Sequence, residues 1–171
     1  MNALPCDQLL ASPLMQQVIR VESGGNPYAI GVVGGRLERQ PRNLAEAVAT
    51  AQSLEEQGRN FSIGTGQVNR IHFRRLGWSS AIERGFDTCE NARAALGVLQ
   101  ACYDKAVSSG YPVVPSPGGY GAVHAALSCY YSGDLVAGAR LGYVTKVLGP
   151  KAAVAPLSTK KSKSAPSMLI E

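Results

Sequence analysis

No run of 18 apolar residues occurs in this 171-residue chain, so no segment reads as a membrane-spanning helix. The start, Met1-Asn2-Ala3-Leu4-Pro5-Cys6, lacks a basic stretch followed by an apolar one, and no signal peptide is visible in it. Aromatic residues are scarce, at 6%, whereas there are 19 glycines; that mixture suits short, closely packed helices joined by tight turns. Concentrated basic charge is missing too. The formal net charge is +5, but the segment from Pro150 onward holds four lysines against Glu171 and carries +3, leaving +2 for the rest. A domain at +2 has no basic stripe and is not a nucleic-acid binder. The tail is suited only to a salt-screened, unspecific pull on polyanions such as membrane headgroups or an anionic cell wall.

The four cysteines, Cys6, Cys89, Cys102 and Cys129, form no C-x-x-C pair, and no histidine lies near them. That argues against a zinc site, and no metal or other cofactor is expected. An even count points to two disulfides and an oxidising compartment; buried free thiols are the alternative. Three connectivities are possible, and the spacing does not choose among them.

The length fits one domain with a core of its own, here taken as residues 1–149, followed by a flexible basic tail at 150–171. Ser12-Pro13 reads as a helix start, with Leu14, Val18 and Val21 on one face. Ile30 to Leu37 reads as a hairpin turning at Gly34-Gly35. Asn43 with Glu46 opens a helix that ends near Gly58. Phe61–Gly66 reads as a turn, and a short helix carrying Val68, Ile71 and Leu76 runs to Gly77. Asp87 or Thr88 caps a longer helix with Ala92, Leu96, Leu99 and Tyr103. Tyr111 to Gly119 is a proline-rich loop. A helix over about 120–131 stops at Gly133, and Asp134 caps a last one lined by Leu135, Leu141, Val144 and Leu148. The fold class is mainly α (α+β), with a small hairpin inserted after the first long helix.

Glu22 is the candidate for chemistry. It sits in the last helical turn before Ser23-Gly24-Gly25-Asn26-Pro27, where the carbonyl end of the helix dipole disfavours negative charge by roughly 0.3–1 kcal/mol. An acid placed there is biased toward the protonated form that a general acid needs. Lying four residues after Val18, it also borders the buried face. A surface glutamate at a C-cap is the plain alternative.

Three segments stand in order: Val21-Glu22-Ser23-Gly24-Gly25-Asn26-Pro27, Ser62-Ile63-Gly64-Thr65-Gly66-Gln67-Val68-Asn69 and Ala126-Leu127-Ser128-Cys129-Tyr130-Tyr131-Ser132-Gly133. Together they resemble the lytic transglycosylases of the soluble-lytic, goose-lysozyme-like family. The added segment from Ile30 to Asn60 is similar to the VirB-type branch that serves type IV secretion systems. The resemblance covers residues 6 to 149. It implies a lysozyme-like fold, peptidoglycan glycan strands as substrate, a periplasmic location, and partners in a secretion apparatus, reached through the tail. It places Glu22 as the sole catalytic acid, Gln67 and Asn69 as amides lining the cleft, and Tyr130 beside the acid. Two departures stand out. Tyr131 replaces the usual asparagine, and Thr65 and Gly66 replace bulky apolar residues.

Glycosidic cleavage needs a proton for the departing oxygen and a means of stabilising an oxocarbenium-like centre. No second acid appears in the three segments; Glu38 is the one other acid to weigh, and it reads as a solvated surface charge. A lone acid points to substrate assistance. The sugar's N-acetyl group stabilises the cation, and its 6-hydroxyl attacks to give a 1,6-anhydro end. A hydrolytic muramidase and a non-catalytic wall-binding scaffold are the alternatives. Other residues have two readings each. Gln67 and Asn69 line the cleft or satisfy backbone groups, and Tyr130 is a site residue, a core aromatic, or both. Ser62 is a turn residue or a ligand, Ser23 a local hydrogen-bonding group or a ligand, and Tyr131 a sugar-stacking ring or a packing one. His72, His124 and Trp78 read as structural.

Overall fold

The computed structural model describes residues 4–150, so all but the first residue of the expected basic tail lies outside the described residues. The elements run α1 (Cys6–Ala11), α2 (Pro13–Ser23), β1 (Ile30–Val32), α3 (Leu44–Glu56), β2 (Phe61–Ile63), β3 (Val68–Asn69), α4 (Phe73–Leu76), α5 (Thr88–Ser108), α6 (Ala122–Ser132), α7 (Ala137–Arg140) and α8 (Tyr143–Leu148). The chain is mainly helical, with a small antiparallel sheet after α2, as expected.

Local chemistry accounts for the helix ends. Pro13 occupies the first turn of α2, where its missing N–H costs nothing, although the Ser12 hydroxyl makes no cap bond. Gly24, at φ 63°, ends that helix in the left-handed region. The Asn43 side chain accepts from the Glu46 N–H at 2.9 Å, and the Glu46 carboxylate reaches back to the Arg42 N–H at 3.1 Å. Asp87, not Thr88, caps α5 by accepting from the Glu90 N–H at 2.8 Å. Asp134 Oδ1 accepts from the N–H groups of Val136 and Ala137 at 2.8 and 2.7 Å.

The sheet is paired differently from the expected hairpin over Ile30–Leu37. β1 pairs with β2, Ile30 opposite Ile63 and Val32 opposite Phe61, and the tight hairpin joins β2 to β3. Two forces favour this register. It buries Ile30, Phe61, Ile63 and Val68 on one face, whereas a partner segment at Arg36-Leu37 offers a single apolar residue. The outer edge of β1 is also already closed: Gln40 accepts from the Ile30 N–H at 2.8 Å and donates to the Ile30 carbonyl at 3.0 Å. Phe61–Ile63 is therefore strand and not turn. Likewise the expected helix over Val68–Leu76 starts late, because Val68 belongs to β3 and Asn69 caps a 3-10 turn at Arg70–His72 through the Ile71 N–H. The last expected helix divides at Gly142, φ 82°, into α7 and α8.

One apolar cluster lies under the sheet, where Phe61, Ile63, Phe73, Trp78 and Phe86 pack against small alanines of α3 and α5. Trp78 is a core residue. A second cluster joins Val18 of α2, Leu99 of α5, Leu127 of α6 and Tyr143, Val144 and Val147 of α8. Two disulfides are present. Cys6–Cys89 fastens α1 to the start of α5, and Cys102–Cys129 fastens α5 to α6.

Candidate active site

The sheet, α5 and α6 enclose a groove of about 1150 Å³, and Glu22 lines it. Strand alternation supplies one wall. Ile30 and Ile63 turn into the core, while Gly31, Ser62 and Asn69 line the groove. α5 lines it with Gly97, Val98, Ala101 and Lys105, and α6 with Tyr130, Tyr131 and Ser132.

Glu22 is half-buried, and it is the sole carboxylate among the described residues that line the groove. Burial pushes its carboxyl above the ordinary carboxylate range, and a hydrogen bond from Tyr143 partly offsets the rise. The Tyr143 hydroxyl donates to Glu22 Oε1 at 2.5 Å. Burial and the neighbouring Glu22 raise the Tyr143 phenol so far that it stays a donor. The direction expected for Glu22 from the helix dipole is thus present, but desolvation is its principal cause.

Tyr143 had no place in the sequence argument. The signal was available in Gly142: a left-handed glycine restarts the helix, which puts residues 143, 144 and 147 on the buried face in place of Leu141 and Leu148. Tyr143 is 3% exposed and Leu141 66%. The Tyr131 ring stacks on Tyr143, with centroids 4.7 Å apart and planes within 17°. Tyr131 is itself 53% exposed and lines the groove, so it packs on Tyr143 and still borders the open space.

The turn between β2 and β3 is built around Asn91, which is fully buried on α5. Its amide donates to the carbonyls of Ile63 and Gly85, both at 2.8 Å. Its oxygen accepts from the Gly66 N–H at 2.7 Å and the Thr65 hydroxyl at 3.3 Å. The fit explains the small residues. A Cβ on Gly64 would lie 2.2 Å from the Asn91 amide nitrogen, and one on Gly66 would lie 2.6 Å from the Ala95 methyl. Tyr130 closes the turn from α6 by donating to the Gly66 carbonyl at 2.5 Å. Burial and the charge of Glu22 hold its phenol well above its usual range.

The remaining candidates fall into two groups. Ser62, Gln67, Asn69, Tyr130 and Tyr131 line the groove with Glu22, whereas Ser23 and Glu38 are not among the residues lining it. Ser23 donates to the Thr65 carbonyl at 2.8 Å, tying the end of α2 to the turn. Gln67, at φ 50°, uses its amide nitrogen on the carbonyls of Ala29 and Gly64 at 3.0 and 2.9 Å. Its Oε1 lies 2.6 Å from where a Cβ on Gly31 would stand, so that strand position must stay bare. Asn69 donates to Asn60 at 2.8 Å and to the Ser62 hydroxyl at 3.3 Å. His124 accepts from the Gly121 N–H at 3.2 Å and caps α6. His72 lines the groove, with burial and then Arg75 holding its pKa down.

Among the described residues, no group of three or more His, Cys, Asp or Glu side chains is placed to hold a metal ion. The geometry offers one carboxyl whose pKa burial raises, a buried phenol that donates to it, and an open groove. That set suits acid catalysis followed by base catalysis at a single residue.

The family description "Transglycosylase SLT domain" matches residues 6–137. The "Type IV secretion system protein virB1" of Brucella abortus biovar 1 (strain 9-941) and that of Brucella suis biovar 1 (strain 1330) are each 45% identical over 152 residues, 85% of this chain. The match spans 60% of the length of those relatives. No solved structure matches the chain. With the match running from α1 to the start of α7 and 45% identity to these relatives, the chain belongs to the SLT transglycosylase domain family, whose fold is lysozyme-like.

Proposed function

We propose that this protein is a lytic transglycosylase that cleaves the β-1,4 bond between N-acetylmuramic acid and N-acetylglucosamine in peptidoglycan. One observation carries the reading: Glu22 is a desolvated carboxyl with a phenol donor, and no second carboxylate accompanies it among the described groove residues. Glu22 gives its proton to the departing glycosidic oxygen as the C1–O bond breaks. The neighbouring N-acetyl oxygen bonds to C1 and holds the positive charge. Glu22, now a carboxylate held by the Tyr143 hydroxyl, takes the proton of the 6-hydroxyl. The 6-oxygen then attacks C1, displaces the acetamido oxygen and leaves a 1,6-anhydro ring. Protons balance and no water is consumed. Because burial disfavours the charged carboxyl, it recovers its proton readily, and an intramolecular nucleophile gains up to about 7–11 kcal/mol from proximity.

Gln67, Asn69, Ser62 and Tyr131 would line the sugar subsites, Tyr130 and Ser23 would hold the turn that shapes them, and Glu22 would be the catalytic residue. The likeness to proteins named as type IV secretion components supports local wall opening, in the periplasm, for assembly of a secretion or conjugation apparatus. Digestion of purified sacculi tests the chemistry. Wild type is expected to release products one water lighter than those of a hydrolase. Glu22→Gln is expected to lose about 10²–10⁴-fold in rate, the usual worth of a positioned general acid. Products of hydrolytic mass would indicate a muramidase instead, and undiminished lysis by the glutamine variant would exclude Glu22.

A further inference from the structure

The main groove runs on into a second depression of about 360 Å³, because Arg75 and Gly97 line both. Its other walls include Arg84, Glu90 and Arg93. The charge there is lopsided. Glu90 is already taken by Arg84, at 3.0 Å, and no carboxylate pairs with Arg75 or Arg93 among the described residues. Three guanidiniums and one carboxylate thus line the hollow, and Arg75 and Arg93 face it without an ion-pair partner among the described residues. Guanidinium is the side chain best matched to carboxylate, which it can grip through two parallel N–H donors.

Gly97 gives an independent indication. It lies in the middle of the 21-residue helix α5, where glycine costs roughly 0.5–1 kcal/mol relative to alanine. Packing does not demand it, since a Cβ there would meet nothing within 4 Å. The residue is exposed at the junction of the groove and the depression. A bare helix surface at that point keeps the two spaces connected.

Resting on the transglycosylase reading, we propose that this depression receives the peptide stem of peptidoglycan, with Arg75 and Arg93 binding its free carboxylates and Gly97 leaving room for the stem to leave the glycan groove. A wall glycan differs from a neutral polysaccharide in the peptides hung on its muramic acid residues, each carrying free carboxylates. A cationic side branch selects for that difference. Lys105 provides an internal comparison: it lines the main groove but not the depression, and lies three helical turns from Arg93, about 18 Å along α5.

Binding is measured by calorimetry in the Glu22→Gln background, so that turnover does not interfere. The ligands are peptide-bearing glycan tetramers, the same tetramers after amidase removal of the stems, and chitotetraose. Arg75→Gln and Arg93→Gln should each weaken binding of the peptide-bearing tetramer by about two- to fivefold, the upper worth of an exposed ion pair, with little change for the other two ligands. Arg75→Lys should restore part of the loss, and Gly97→Leu should weaken the peptide-bearing ligand selectively. Equal losses on peptide-bearing and stripped tetramers would assign the arginines to the lactyl carboxylate and overturn the proposal. So would equal losses on all three ligands, no loss at all, or the same selectivity from Lys105→Gln. Lysis by the wild-type protein, measured separately, reports on the transglycosylase reading, so the two can fail independently.

Discussion

At Glu22 two opposed effects meet, and burial exceeds the hydrogen bond from Tyr143, because the carboxyl still rises. Removing the weaker effect should therefore raise the acid further. In Tyr143→Phe the alkaline limb of the pH–rate profile is expected to move to higher pH. Rate should fall by roughly 10- to 100-fold, since a hydrogen bond to a charged group is worth about 1.5–3 kcal/mol and the carboxylate form must persist until it takes the 6-hydroxyl proton. An unshifted limb would mean that the phenol does not touch the titrating acid. Stability follows the same group with a definite sign. A folded pKa raised above the unfolded one means that the native state holds the proton longer, so stability is lost as pH climbs from the unfolded value through the raised folded value. Glu22→Gln removes that loss. Thermal denaturation should show the variant melting above wild type at neutral pH, with the gap closing below the ordinary carboxylate range.

Individual elements tie the turn between β2 and β3 to the helices behind it. From the middle of the core Asn91 makes four hydrogen bonds, three to Ile63, Thr65 and Gly66 at that turn and one to the Gly85 carbonyl. Asn91→Leu is expected to destabilise the fold by on the order of 3 kcal/mol or more, because each buried backbone group it abandons costs about 1–3 kcal/mol; urea unfolding measures this. Gly97→Ala should do the opposite and add about 0.5–1 kcal/mol, the helix penalty of an exposed glycine. These elements also mark how far the sequence could be read. That Glu22, Gln67, Asn69, Tyr130 and Tyr131 share one groove was legible, because glycine-punctuated motifs keep candidate residues close together in the chain. Helix starts at Asn43 and Asp87 were legible from capping chemistry. The β1–β2 pairing was not, since 28 residues lie between Val32 and Phe61 and register there is decided by burial against α3 and α5. Asn91 and Tyr143 escaped notice for a similar reason: each acts across the fold, on a turn or a carboxyl far away in sequence. Gly142 marks Tyr143 as buried, but nothing near either residue in sequence names the distant group it bonds.

Across the whole molecule, the two disulfides bind α5 to α1 and to α6, and the cysteines of one of them, Cys102 and Cys129, also line the groove. Their value for stability follows from the loops they close. Cys6–Cys89 spans 83 residues and Cys102–Cys129 spans 27, for which the chain-entropy relation gives about 4.5 and about 3.5 kcal/mol. Native chains hold only about 5–15 kcal/mol in total, so either link is a large fraction of the whole. The two should nevertheless differ in their effect on the site. Cys6 and Cys89 do not line the groove, so Cys6→Ala/Cys89→Ala should lower the melting temperature while leaving turnover at low temperature largely intact. Cys102→Ala/Cys129→Ala loosens α5 against α6, the helices that present Gly97 on one side and Tyr130 and Tyr131 on the other. It should impair sacculus lysis at temperatures where circular dichroism still reports a folded protein. The lower loop entropy of that bond would then go with the larger functional loss. If activity instead tracked melting temperature equally in both double variants, the disulfide at the groove would matter for stability alone.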